Sequence, residues 1–189
     1  MSTIDFYPIK SVYISQHYAE NNFSAEPTLF GGRYKKAGDV YRSLLQFGLY
    51  RSFDSLPADC IISRADLILT ITRNEIPRGR TDLTLHQIWQ AWLERTVTWM
   101  NQPLFSVSPV SVSDLKAGYE GPIEFDITEL VQDWKKGTTI NYGILIAGNE
   151  ECNRLVAFGR DDLAGKNLRP RLELDYYKKS RLFKSRQQA

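Results

Sequence analysis

The stretch IISRADLILTITR, residues 61–73, places Ala65, Leu67, Leu69 and Ile71 at every second position. A period of two sends successive side chains to opposite faces of an extended chain, so the segment reads as a strand with one apolar face. It holds no glycine or proline, and its β-branched residues suit a pleated surface. Reading outward, the same period recurs. Upstream lie SVYISQHY (11–18), TLFGGRY (28–34) and VYRSLLQFGLY (40–50), the last with Tyr41, Ser43, Leu45, Phe47 and Leu49 in one set. Downstream come LTLHQIW (83–89), IEFDI (123–127), YGILIAG (142–148), RLVAFGR (154–160) and RPRLELDYY (169–177). LPADC (56–60) and NEIPRGRTD (74–82) punctuate the strands with turns. Gly31 and Gly32 inside a strand signal a bulge or a close approach of another backbone.

One segment changes period. In TELVQDWKKG, Leu130, Val131 and Trp134 recur at helical spacing, and Gly137 stands where a left-handed C-terminal cap belongs. Asp126 or Thr128 can cap the start, and Asp126 with Glu129 fits a capping box. The spacing predicts a helix over Thr128–Lys136. A parallel sheet needs a crossover helix between most strands, and here there is one helix in all. The sequence therefore predicts an all-β chain: an antiparallel jelly-roll β-sandwich of about nine strands with one short helix. The irregular stretch from Trp92 to Gly121, rich in Ser, Pro and Gly, is expected to wrap one end of it. Residues 1–10 read as an N-terminal extension, 11–177 as the sandwich and 178–189 as a basic tail.

The bulk composition agrees. In 189 residues, 42% hydrophobic content is enough to bury a core without a metal or a disulfide. The formal charge of +2 is unevenly placed. Residues 176–189 hold Lys178, Lys179, Arg181, Lys184 and Arg186 and no acid, so the remainder carries −3. Cys60 and Cys152 are far apart and are expected as buried thiols, with a disulfide as the alternative in an oxidising compartment. From the sequence, neither a removable leader nor a stretch of membrane-spanning length is expected.

Four phrases occur in a fixed order: RSLLQFGL (Arg42–Leu49), WLERTVTWMNQP (Trp92–Pro103), FDITELVQDWKKG (Phe125–Gly137) followed by NYGILI, and RPRLELDY (Arg169–Tyr176). In these phrases the chain resembles the DNRLRE, or disaggregatase-related, domains. Those are similar to alginate-binding carbohydrate modules and, distantly, to the propeptide-like sandwiches of growth factors. The resemblance implies a β-sandwich module of secreted or cell-surface proteins of bacteria and archaea. Some of its relatives bind glycans, and others serve as spacers or surface-structure parts. It also implies that Trp92, Trp99 and Trp134 are framework residues.

Candidate sites follow from residue type and neighbourhood. Large aromatic rings anchor cores, so the tryptophans read as packing residues, with Trp89 ending a strand. Glu94, Glu124, Asp126 and Asp133 supply acids, but a glycosidase needs two carboxylates about 5 to 10 Å apart across a cleft. Glu94 is instead expected to accept backbone N–H bonds within its loop, and no catalytic site is predicted. His17 and His86 lack partners at metal-ligand spacing, and His86 is expected to be partly exposed. No cofactor is predicted; the alternative is calcium on the Asp161–Asp162 pair. The cluster GGRYKKAGDVYR brings Arg33, Tyr34, Lys35, Lys36 and Arg42 close in sequence, with Tyr41 among them. Guanidinium and ammonium groups beside tyrosines suit an acidic polysaccharide. GGRYKKAGD lacks the ending of a phosphate-binding loop, and nothing in the fold class favours nucleic acid.

Two functions result. The first is a self-assembling structural protein of a cell or spore surface, a homo-oligomer or polymer joined through exposed strand edges. Ile4 and Phe6 in the first segment and Leu182 and Phe183 in the tail would make the contacts. The alternative is a carbohydrate-binding module for an acidic polysaccharide.

Overall fold

The structure is a computed structural model that describes residues 1–49, 56, 60–160 and 168–178. Its strands are β1 (Ser2–Phe6), β2 (Pro8–Ser15), β3 (Thr28–Arg33), β4 (Val40–Phe47), β5 (Cys60–Asn74), β6 (Arg80–Gln87), β7 (Ser111–Lys116), β8 (Gly121–Asp126), β9 (Ile144–Ala147), β10 (Val156–Gly159) and β11 (Arg171–Lys178). The helix α1 spans Thr128–Lys136, as its periodicity predicts. Every strand pairing is antiparallel, and the hydrogen-bonded order is β1-β11-β5-β10-β3-β4-β9-β6-β7, with β2 on β4 and β8 on β5. The sheet folds over on itself into a sandwich of jelly-roll type. One layer holds β1, β11, β5, β8 and β10; the other holds β2, β4, β9, β6 and β7.

β3 joins the layers. Its residues 28–31 pair with β10, and Gly32 and Arg33 pair with β4. The switch falls on the Gly31–Gly32 pair that the sequence marks. Gly32 has φ +97, and a Cβ there would sit 2.6 Å from the Arg154 carbonyl oxygen, so a side chain would clash with backbone.

β5 is the spine. Ala65, Leu67, Leu69 and Ile71 are buried between the layers, as the alternation requires. Toward its start the buried set continues at Ile62, one position out of phase. The cause is a bulge: β11 matches Asp175 to Arg64 and Tyr176 to Ile62, which leaves Ser63 unpaired. The interlayer core gathers Leu45, Phe47, Leu83, Leu85, Ile144 and Ile146 from one layer against Phe125, Phe158, Leu172 and Leu174 from the other. Leu130, Val131 and Trp134 of α1 pack into it. The helix ends as expected, with Gly137 at φ 73, but its N-cap residue is Ile127, which offers no side-chain bond. Asp126 serves from one position further out, accepting the Thr128 N–H (2.9 Å) and hydroxyl (2.6 Å).

Four expectations need correction. Residues 1–10 are part of the sandwich: β1 pairs with β11 over Ser2–Phe6, and Ile4 and Phe6 pack half-buried against the core. The stretch from Trp92 to Gly121 does not wrap an end. Its first part lies over the outer face of the β2–β4–β9–β6 layer, where Trp92 and Val97 join Val12, Ile14, Leu44, Ile88 and Leu145 in a second apolar cluster, and its later part supplies β7. His86 is buried beneath this cover, its Nδ1 2.7 Å from the Ser106 carbonyl oxygen and its Nε2 3.0 Å from the Thr84 hydroxyl. Glu94 bonds outside its loop, accepting the Ser11 N–H at 2.8 Å and pairing with Arg160. Cys60 and Cys152 are both free thiols, and only Cys60 is buried. Asp161, Asp162, Leu182 and Phe183 lie outside the described residues.

Candidate functional site

The β3–β4 hairpin carries residues 33–36 to one end of the sandwich. Lys35 stands at φ 57, the one non-glycine residue at positive φ among those described. That region crowds the Cβ of an ordinary residue, so neighbours must hold it there. Asn153 does so: its Oδ1 accepts the Lys35 N–H at 2.8 Å, and Arg33 bridges Asn153 through the backbone. The turn sets the Lys35 ammonium 4.7 Å from the centre of the Tyr34 ring, and the Arg73 guanidinium lies 5.4 Å from the same ring. Hydrogen bonding from Lys35, with Arg73 behind it, lowers the Tyr34 phenol below its ordinary value, and the same contact raises Lys35. Arg73 is also bonded to Glu75 (2.7 Å), and that bond, ahead of the contact with Tyr34, raises it above its ordinary value. Tyr34 therefore works as a strut that gathers two cations, since its ring is already engaged by them. Lys36 stands exposed beside them with no ion pair among the described residues.

Two members of the sequence cluster belong elsewhere. Tyr41 turns inward to an aromatic group with Tyr13, Phe23 and Phe30, in which Tyr13 stacks on Phe23 at 4.4 Å. Burial pushes the phenols of Tyr13 and Tyr41 up to about 12, so both stay protonated. Arg42 is half-buried on the outer face of its layer. It forks onto Glu150 (2.7 and 2.8 Å), donates to Gln102 (2.9 Å) and lies over the rings of Trp99 (4.6 Å) and Phe105 (5.3 Å). Every face of that guanidinium is engaged, so it holds the covering loop to the sheet.

In their place the fold supplies residues that no local pattern marks. Arg73 arrives from the end of β5, and Asn153 and Arg154 arrive from the loop before β10. Arg154 donates its N–H to the Arg33 carbonyl (2.9 Å) and its guanidinium to the carbonyls of Arg78 (3.3 Å) and Arg80 (3.1 Å). It thereby joins the hairpin to a cleft of about 550 Å³ lined by Arg80, Thr81, Asp82, Thr84, Asp114 and Asn149. Only spatial proximity makes these one site, because residues 35, 73 and 154 are remote in the chain.

A larger polar groove of about 940 Å³ lies at α1, between Asp126–Asp133 and the Gln87, Pro109 and Val110 side. Its acids Asp126, Glu129 and Asp133 all come from one wall, and Arg64, also in the lining, pairs with Asp66. Asp126 is committed to Thr128, and those bonds hold its carboxyl below the usual range. Opposed carboxylates of glycosidase type are therefore not assembled there. The tryptophans divide as follows: Trp92 and Trp134 are buried, Trp99 lies under Arg42, and Trp89 is exposed. No helix among the described residues is long and apolar enough to cross a membrane.

A family model described as carbohydrate-binding module family 96 matches residues 2–176, from the first strand to the last. No curated protein matches the chain.

Proposed function

The chain belongs to carbohydrate-binding module family 96, and from that we propose that it binds an acidic polysaccharide, without acting on it, at the end of the sandwich that carries Lys35. The observation that carries this reading is the arrangement of Lys35, Tyr34 and Arg73. A lysine is held at φ 57 so that its ammonium and a neighbouring guanidinium share one tyrosine ring. Strained backbone at an exposed, charged turn motivates a functional reading. Fixed cations suit carboxylates, because little side-chain freedom is lost on contact. Arg33 and Lys36 complete the patch, while Arg42 and Tyr41 act as framework. A surface or extracellular location, and the finer identity as a DNRLRE domain, accord with this reading. Self-assembly into a cell- or spore-surface filament draws no support from the family match, and its proposed N-terminal strand is already paired with β11.

Affinity electrophoresis through gels containing alginate or another polyuronate tests the proposal. The wild type should be retarded, more so at low salt, and replacement of Arg33, Lys35 and Lys36 by Ala should restore free mobility. A wild type that migrates equally with and without polymer refutes it.

A further inference from the structure

A pocket of about 430 Å³ opens at the end of the sandwich opposite Lys35. β4 begins at Val40, beside the Lys35 turn, and its eight residues cover about 25 Å before Phe47 reaches the pocket wall. Phe47 and Leu49 are buried there, whereas Ile9 and Ile140 line the pocket while standing 62% and 65% exposed. No ionisable side chain is among its lining residues. Trp134, Thr139 and Asn141 also line it, and each keeps a buried polar atom with no hydrogen-bond partner: the indole Nε1, the hydroxyl Oγ1 and the amide Oδ1. Trp134 as a whole is only 6% exposed. Buried polar groups are nearly always bonded, so unpaired atoms on three residues of one pocket point to a ligand that completes them. The roles of two are fixed. An indole N–H only donates. The Asn141 amide is oriented by its Nδ2, which donates to the Phe47 carbonyl at 2.9 Å and so leaves Oδ1 as a pure acceptor.

We propose that this pocket is a second binding site, independent of the Lys35 end, for the acetamido group of a neutral N-acetylated sugar. A secondary amide carries both complements: its carbonyl oxygen accepts the Trp134 N–H, and its N–H donates to Asn141 Oδ1. Its methyl group lies against Phe47 and Leu49, and the sugar ring spreads toward Ile9 and Ile140 with a hydroxyl bonded to Thr139. A carboxylate does not suit the site, because an ion taken from water into an apolar pocket without a counter-charge is strongly disfavoured. Water takes the hydrogen bonds but leaves the apolar wall wet, each molecule filling only about 30 Å³. A bare sugar hydroxyl meets the same polar atoms and likewise brings no methyl group. The polyuronates proposed for the Lys35 end carry no acetamido group, so the two ends take different glycans.

Indole and backbone N–H resonances of the whole chain, followed during titration with uncharged ligands, test the proposal. The ligands are the trisaccharide of N-acetylglucosamine, cellotriose, which has hydroxyls in place of the acetamido groups, and N-acetylalanine methylamide, a peptide source of the same amide. The Trp134 indole resonance should shift and saturate with the N-acetylglucosamine trisaccharide. Cellotriose should bind about tenfold more weakly, since it leaves an amide partner unmade. Thr139→Val should weaken trisaccharide binding severalfold while retention on polyuronate stays unchanged. Its unfolding midpoint should be no lower than that of the wild type, because the lost hydroxyl has no partner in the protein. An indole resonance that never moves, the mark of a pocket holding water alone, overturns the proposal. So does equal binding of cellotriose, equal or tighter binding of the peptide amide, or a Thr139→Val protein that binds the trisaccharide as the wild type does.

Discussion

Replacing Arg42 by Met separates framework from ligand contact. The change keeps an unbranched apolar stem and deletes the guanidinium. Lost are two charge-assisted bonds to Glu150, at 2.7 and 2.8 Å, and one to Gln102 at 2.9 Å. Bonds to charged groups contribute about 1.5 kcal/mol each at the low end, so the fork accounts for about 3 kcal/mol. Loss of the cation from the Trp99 and Phe105 rings, at 4.6 and 5.3 Å, adds about 0.5 kcal/mol. Against this, Glu150 is 31% exposed and regains water, and the Met stem keeps its apolar contacts, together worth about 1 kcal/mol. The net cost is about 2–3 kcal/mol. In a chain of this size that lowers the melting temperature by roughly 5–10 °C. Urea unfolding measures the loss, and gel retention of the protein while still folded should be nearly unchanged. A stability within about 0.5 kcal/mol of wild type, the range of an ordinary surface substitution, would overturn the framework role of Arg42, above all if retention vanished.

Lys35→Gly removes the ammonium and relieves a backbone conformation that glycine adopts freely. Unfolding should show equal or greater stability, while affinity for an acidic polymer falls severalfold. A less stable protein, or unchanged affinity, would contradict the role given to this turn. The Asp126 carboxyl lies below the usual carboxylate range because Thr128 donates to it. Its contribution is therefore complete above the unfolded value of about 3.9 and is lost as pH falls through the lower folded value. The stability gap between wild type and Asp126→Asn should be constant from neutral pH down to about 4 and shrink below it. A gap that grows on acidification would be wrong in sign. Gly143→Ala places a Cβ against the Leu45 carbonyl at a position with φ +104. It should cost about 3 kcal/mol, read as a lower urea midpoint.

The sequence carried the scaffold wherever a local pattern decided it. The alternation in β5, the apolar stripe and glycine stop of α1 and the Gly31–Gly32 crossing all involve residues within a few positions of each other. Legibility failed where a distant partner decided the outcome. The phase slip at Ser63 is set by β11, more than a hundred residues downstream. β1 read as a free extension because its partner β11 is the last strand. The tryptophan-rich loop announced burial, but not that it would cover the outer face of a layer that already buries its inner one. Arg42 joined the basic cluster by sequence proximity, and Glu150, 108 positions away, removed it. Arg73 and Arg154 joined the candidate site with no local signal, since nothing in TITRN or CNRLV sets either arginine apart from an ordinary surface cation.

Glycan is proposed to meet this chain at the Lys35 end of the sandwich. Amide chemical shifts recorded during titration with an acidic oligosaccharide test it most directly. Lys35, Lys36, Asn153 and Arg154 should move together and saturate at one ligand concentration, with α1 and the residues around Asp126 unmoved. Shifts confined to the α1 groove or the exposed Trp89 loop, or a spectrum that does not change, would contradict it.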